Sequence, residues 1–416
     1  MEHLVLVGNG IAGHSALQEV LKSDTPFKIT VVYDEDPRTY MRTQLIPYTL
    51  GLVSDEKFFM TARDFYESHG IRAIAATLVR LNPEDASLIL SNGETIHYDR
   101  LILATGAYNF VPPMPCLGHS TLQSVDSWTI DEAKGVYTMR TLKDASRIRR
   151  HMKSAKKAVV VGGGLLGLEA ASDLLDQGLD VTVVEFAPRL LPRQLDEKSS
   201  QFLQTQAEEY GLTFLLGTSV KQLQFDDDAL VGLTLLSGEF LECDMLLMSI
   251  GIRPHLAPYE GVLKTQRGIV TDSTLATSLP KVWACGDAVE REGMVYGTWS
   301  FAMQSGKLAG KNATGCCDAL KPYILNTLFH SLGCKVFSTG QVHFDDPELR
   351  TYETGDYHKD YIKLFFKENH LVAAVLMGNT AAAMKLSKAI ERHMQVQDAL
   401  ASFCANPLSQ KGTPVP

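Results

Sequence analysis

The sequence predicts an α/β protein with two Rossmann-type dinucleotide-binding domains and a small C-terminal α+β domain. Three observations predict it. A glycine fingerprint occurs twice, as Gly8-Asn9-Gly10-Ile11-Ala12-Gly13 and as Gly162-Gly163-Gly164-Leu165-Leu166-Gly167. Each copy follows an apolar β-branched run and leads into an Ala/Leu-rich stretch of helical composition. Beyond Lys321-Pro322 the strand–helix alternation gives way to two short neighbouring strands and a final helix.

The first element is the strand Leu4-Val5-Leu6-Val7, and its counterpart is Val159-Val160-Val161. In such a unit the first glycine makes the tight turn and the second lets the backbone approach a pyrophosphate. The third lets helix and strand pack closely, and the free N–H groups of the helix N-terminus point at the phosphates. A second strand ends in acid in both copies: Ile29-Thr30-Val31-Val32-Tyr33-Asp34-Glu35 and Val181-Thr182-Val183-Val184-Glu185. Such an acid accepts hydrogen bonds from a ribose diol. One fingerprint alone is weak, because glycine-rich turns also serve packing. Two of them, each with strands and acids, point to two dinucleotides held at once and to electron transfer between them.

Between the units, Tyr40-Met41-Arg42 opens an irregular stretch to about Gly51, and a helix is expected near Thr61 to His69. The strand Ser87 to Leu90 precedes the hairpin turn Ser91-Asn92-Gly93. Leu101 to Ala104 forms a strand ending in Thr105-Gly106, and Pro112-Pro113-Met114-Pro115 reads as a crossover. From there to about residue 157 a helical, basic stretch is expected, with Arg140, Lys143, Arg147, Arg149, Arg150, Lys153, Lys156 and Lys157. A solvated face explains such a run; docking of an acidic partner is the sharper alternative.

The second unit spans roughly 158 to 186. The segment up to Gly251 holds a strand from Met245 to Ile250, and Val282-Trp283-Ala284 leads into Cys285-Gly286-Asp287-Ala288. A helix follows from Trp299 to about Ala309. In the last domain, strands Tyr361 to Phe366 and Leu371 to Leu376 flank a polar turn. A helix from Ala381 to Phe403 then sets Leu386, Ile390 and Met394 on one face, for packing against the domain's own sheet.

Composition is that of a globular protein: 416 residues, 45% hydrophobic and 21% charged. A net charge of −9 argues against nucleic acid as a main partner. The first apolar run has no basic leader, and no apolar stretch approaches the roughly 18 residues of a membrane span, so a cytoplasmic location is expected. The seven cysteines form no CxxC and no Cys/His cluster with metal spacing. Reduced thiols and no metal are expected, with Cys316-Cys317 read as small buried residues at a helix end and a redox or metal site as the sharper alternative.

Taken in order, Gly8–Gly13, Leu103-Ala104-Thr105-Gly106, Gly162–Gly167 with Glu169, and Ala284-Cys285-Gly286-Asp287 resemble the pyridine nucleotide–disulfide oxidoreductase family. The resemblance covers about residues 1 to 320. It implies an FAD-binding domain from 1–115 and 252–320, an NAD-binding domain from 116–251, and a C-terminal α+β interface domain from 321–416. It implies FAD contacts from Gly8, Gly10, Gly13, Arg42, Ala104, Thr105, Gly106, Gly286 and Asp287, with Asp34 or Glu35 on the adenosine ribose. Gly162, Gly164, Gly167, Glu185 and Gly251 would serve the nicotinamide cofactor. Glu169 would lie near the nicotinamide–flavin contact and Trp299 beside the flavin ring. Glu185 favours NADH, since a carboxylate repels a 2′-phosphate, although Arg189 four residues on tempers that preference.

Disulfide reductases of this family carry a Cys-x4-Cys pair on the helix after the first strand. Thiol-based NADH oxidases carry one cysteine in the loop that here reads Tyr40-Met41-Arg42-Thr43-Gln44. This chain has neither. The loop instead resembles that of rubredoxin reductases, of the flavin segment of nitrite reductases and of the phenylglyoxylate dehydrogenase epsilon subunit. Thr43 replaces the proline often found there. The resemblance implies electron exchange between NAD(H) and an iron–sulfur or rubredoxin-type protein, in a larger complex or an oligomer. An NADH oxidase using O₂ or a small acceptor, and a non-enzymatic NADH-sensing flavoprotein, are the alternatives.

Overall fold

The computed structural model describes residues 1–340, 344 and 346–404; the rest of the expected C-terminal domain, 405–416, lies outside the described residues. The chain divides into two compact units. The first comprises Met1–Phe110, Met139–Arg149 and Gly251–Tyr323, the second Val111–Thr138, Arg150–Ile250 and Ile324–Pro416.

The first unit is built on a five-stranded sheet in the order Val282–Ala284, Arg100–Leu103, Glu2–Val7, Phe27–Tyr33, Arg72–Ala75, parallel throughout. Both faces are covered, which is why Leu4, Val5, Leu6, Leu101, Ile102 and Leu103 form unbroken apolar runs with no exposed surface. The helices Ile11–Leu21 and Trp299–Ala313 lie against each other. A Cβ at Gly306 would stand 2.2 Å from the Ala12 carbonyl oxygen, and one at Gly310 2.2 Å from that of Ala16, so only glycine permits this approach. The antiparallel strands Leu78–Asn82, Ser87–Leu90 and Thr95–His97 form a separate small sheet, with the expected turn at residues 91–94.

One expected helix is shorter than its composition suggests. The stretch 61–69 is helical only over Phe65–Ser68. Met60 N–H donates to the Thr39 carbonyl and the Thr61 hydroxyl accepts from Thr39 N–H, so these residues are tied to a neighbouring strand-like segment.

The second unit repeats the first sheet's plan: Val136–Thr138, Met245–Met248, Lys157–Val161, Asp180–Glu185, Thr213–Leu216, again all parallel. The glycine-bearing strand is central in both. The region 116–157 is not a continuous helix. It holds strands Met114–Leu117, Ser124–Val125 and Val136–Thr138, and the helix is confined to Leu142–Met152. Val125 and Val136 have no exposed surface and pack into the sheet core, where basic content carries no information.

The remainder of the second unit includes an antiparallel sheet in the order Asn326–Ser331, Cys334–Gly340, His370–Met377, Tyr361–Lys367, Arg350–Thr354. Glu368 and Asn369, at φ 48° and 66°, make the two-residue turn whose left-handed residues match strand twist. The expected final helix is two helices, Ala383–Glu391 and Val396–Phe403. His393 at φ 51° breaks it, and the chain between them pairs back on the sheet through Leu371 N–H to the Met394 carbonyl. Lys363 Nζ meets Asp196 Oδ2 at 2.6 Å, a buried ion pair that ties this sheet to the start of the helix Glu197–Tyr210. No helix among the described residues is long and apolar enough to cross a membrane.

Candidate dinucleotide-binding sites

The two glycine loops share one steric pattern. A Cβ at Gly8 would lie 2.2 Å from the Ala104 carbonyl oxygen, and one at Gly13 1.9 Å from that of Gly8. At Gly162 it would meet the Ser249 oxygen at 2.2 Å, and at Gly167 the Gly162 oxygen at 1.9 Å. Gly10 and Gly164, between them, have nothing within 4 Å of that position. The outer glycines are therefore demanded by packing and the middle ones border open space. Gly10 and Gly164 also begin the helices Ile11–Leu21 and Leu165–Asp176, with no side-chain cap and no acid in the first turn. Unpaired N–H groups facing open space fit a pyrophosphate, so both loops pass the test of accommodating a dinucleotide.

The acids after the second strands are placed differently in the two units. Glu185 Oε2 accepts from Gly163 N–H at 2.5 Å and Oε1 from Ala187 N–H at 2.7 Å, which locks the carboxylate beside its loop. Gly162 N–H bonds the Val184 carbonyl as Gly8 N–H bonds that of Val32. The residue of the first unit matching Glu185 is therefore Tyr33, and Asp34 and Glu35 follow it. These two acids separate by their partners. Glu35 is held by Arg42 Nη2 at 2.8 Å and by the Tyr40 hydroxyl. Asp34 is exposed at its surface but ringed by enough protein that desolvation, then the Glu35 charge, hold its carboxyl above the usual range.

Arg42 also donates to the Arg140 carbonyl, and Arg140 Nη2 pairs with Asp287 Oδ2 at 2.8 Å. The Arg140 guanidinium lies 3.7 Å from the Cβ position of Gly106. Thus Glu35, Arg42, Arg140, Asp287 and the Ala104-Thr105-Gly106 turn form one connected group in the first unit. Sequence reasoning missed Arg140 by counting it in a basic helical run. A signal was present: Thr141 and Asp144 form a capping box, Thr141 N–H donating to Asp144 Oδ2 at 2.9 Å and Asp144 N–H to Thr141 Oγ1 at 3.1 Å. That box starts the helix at Leu142 and leaves Arg140 outside it.

Ala104 N–H bonds the Val7 carbonyl at 2.8 Å, which sets Thr105 and Gly106 at the same sheet edge as Gly8. Gly286, at φ +73°, donates to Ser305 Oγ at 3.0 Å. Beside it Cys285 is fully buried, and burial pushes its thiol up to about 12, so it is no nucleophile. Trp299 is the first residue of its helix, next to the Thr298 cap, and Gly251 opens the chain's return to the first unit. In the second unit, Glu169 is half-buried on the helix after the loop. Burial, then Asp173, raises its carboxyl to about 7; burial, then Asp176, raises that of Asp173 to about 6. Glu169 belongs to the second unit and Trp299 to the first.

The family model described as pyridine nucleotide-disulphide oxidoreductase matches residues 2–306, and that described as rubredoxin NAD+ reductase C-terminal domain matches 326–394. The chain is 32% identical over 416 residues to a nitrite reductase [NAD(P)H] of Bacillus subtilis, covering 99% of this chain and 50% of that protein. It spans half or less of the nitrite and nitrate reductase relatives it matches. It is 25% identical to an NADH-rubredoxin oxidoreductase of Clostridium acetobutylicum, over 93% of this chain and 94% of that one. Among solved structures, a covalent putidaredoxin reductase–putidaredoxin complex superposes with a TM-score of 0.85 at 21% identity, covering 97% and 99% of the two chains, a likeness of fold.

Proposed function

Given that the chain belongs to the pyridine nucleotide-disulphide oxidoreductase family, whose cofactors are FAD and NAD(H), we propose that it is a flavoprotein moving electrons between NAD(H) and a protein one-electron carrier. The carrier is of iron–sulfur or rubredoxin type, and the chain serves as the flavoprotein part of a larger assembly. The observation that carries this reading is the pair of glycine loops with one shared steric pattern, each ending in open space at an uncapped helix. The match of 326–394 to a rubredoxin reductase C-terminal domain supports the class of partner.

The first unit would hold FAD. Gly8, Gly10 and Gly13 form the pyrophosphate cradle, and Arg42 and Arg140 supply cations beside it, each already oriented by an acid. Asp34 is the acid left for the adenosine ribose, and Asp287 sits with Gly286 at the Ser305-anchored turn. The second unit would hold NAD(H) through Gly162, Gly164 and Gly167, with Glu185 set for a ribose diol. Domains of 1–115 with 252–320, of 116–251 and of 321–416 are part of the same proposal, with the excursion Met139–Arg149 joining the first of them. Bound flavin would supply the hydride exchange and the one-electron steps. The protein's part is to bind, orient and exclude water. The cysteine positions that serve as relay in the thiol branches of the family are empty here, since the first cysteine in the sequence is Cys116.

The test is anaerobic mixing of the purified, FAD-loaded protein with NADH, followed by oxygen-uptake measurement and an iron and sulfide assay of co-purifying proteins. Rapid flavin bleaching, slow oxygen uptake and an iron-bearing companion are expected. Oxygen consumption matching NADH loss would instead make the protein an NADH oxidase. Very slow bleaching with a long-lived charge-transfer band would make it a sensor.

A further inference from the structure

One cluster of nucleophilic side chains lies apart from the dinucleotide sites. Cys316 and Cys317, expected to be buried at a helix end, are both exposed. They follow the helix Trp299–Ala313 in the first unit, on a segment that is neither helix nor strand. In a strand successive side chains would point to opposite faces; this segment imposes no such alternation. Gly315, just ahead, has φ +113° and nothing within 4 Å of its Cβ position, and residues 315 to 319 are all exposed.

The base of the loop is fixed all the same. The Asn312 amide, 2% exposed, donates from Nδ2 to the Asp318 carbonyl at 2.8 Å and to the Thr274 carbonyl at 2.8 Å. Its Oδ1 accepts from Asp318 N–H at 2.9 Å. Two adjacent thiols are thus displayed on a short loop closed at its foot by one buried side chain. The other five cysteines differ: Cys243, Cys285, Cys334 and Cys404 are buried, Cys116 is half-buried, and burial pushes each of their thiols up.

We propose that Cys316 and Cys317 form a vicinal dithiol site that chelates a soft, thiophilic centre of the trivalent arsenical class. In the binding step two S–H bonds and the arsenic–oxygen double bond break, two As–S bonds form, and one water leaves. No electron is transferred, so no oxidant or reductant enters. Once one thiolate has bound, the second As–S bond closes within the loop at high effective concentration, and for this reason the pair outcompetes five isolated thiols.

The probe is phenylarsine oxide, titrated into the full-length, FAD-loaded protein and read by intact mass and by counting free thiols. One adduct per chain, with two thiols lost per adduct, is expected. Cys316→Ser and Cys317→Ser should each weaken binding at least tenfold. Iodoacetamide should still alkylate the cysteine left in each variant, and FAD content should stay unchanged. Binding as tight in either single variant as in the native chain, an adduct that consumes one thiol, or an adduct mapped to another cysteine overturns the proposal.

Discussion

At the scale of single residues, the site is governed by where carboxylates sit and what they touch. Glu185 accepts two backbone N–H groups next to its loop, so Glu185→Ala should loosen both loop and ribose. NADH affinity should fall by about tenfold, or about 1.4 kcal/mol, and discrimination against NADPH should relax; an unaltered NADH/NADPH ratio in steady-state assays would remove Glu185 from the ribose. Glu169 yields a prediction about pH. Burial raises its carboxyl to about 7 from 4.5, so the folded state binds this proton more tightly than the unfolded state does. The stability it contributes is full below pH 4.5 and is lost as pH rises through about 7. Glu169→Gln should therefore leave denaturant stability of the apoprotein nearly unchanged at pH 4 and raise it at pH 8, by at most about 3 kcal/mol. An equal effect at both pH values would exclude the titration as its cause.

At the scale of elements, the glycine loop is only as well placed as the helix behind it. Gly306→Ala puts a Cβ 2.2 Å from the Ala12 carbonyl oxygen, on the helix that carries the first fingerprint. Overpacking of this kind costs about 1–3 kcal/mol, and here the displaced element would cradle the pyrophosphate. The melting temperature should drop and FAD retained through gel filtration should fall by more than half; a variant that melts lower with full FAD would uncouple the two. The loops themselves were legible in the sequence because their outer glycines carry steric demands that no other residue meets. The strands were legible because burial on both faces makes them uniformly apolar. The region 116–157 was not, since short edge strands such as Val136–Thr138 are fixed by their neighbour Met245–Met248, far away in sequence. Nor was the break at His393, because φ 51° is uncommon even for histidine and here accompanies the return of the chain to the sheet.

At the scale of the whole molecule, the Lys363–Asp196 pair joins the last sheet to the rest of its unit. Removing one member of a buried pair leaves an uncompensated charge, typically at a cost of about 3–5 kcal/mol. Lys363→Met should thus destabilise strongly, and adding Asp196→Leu should recover much of the loss; if the double variant is no better than the single one by urea denaturation, the charge is not the reason. The cofactor site was legible only in part at this scale. Arg140 joins it because the chain re-enters the first unit for the few residues Met139–Arg149, a detour that local pattern does not record. That same threading bears on synthesis. The first glycine loop is made well ahead of Asp287 and the helix Trp299–Ala313, which belong to the same unit. At roughly 5–20 residues per second, the nascent fingerprint waits on the order of tens of seconds for its partners. A ribosome stalled before the helix Trp299–Ala313 has emerged would hold a chain with a nucleotide signature and an unfinished unit around it.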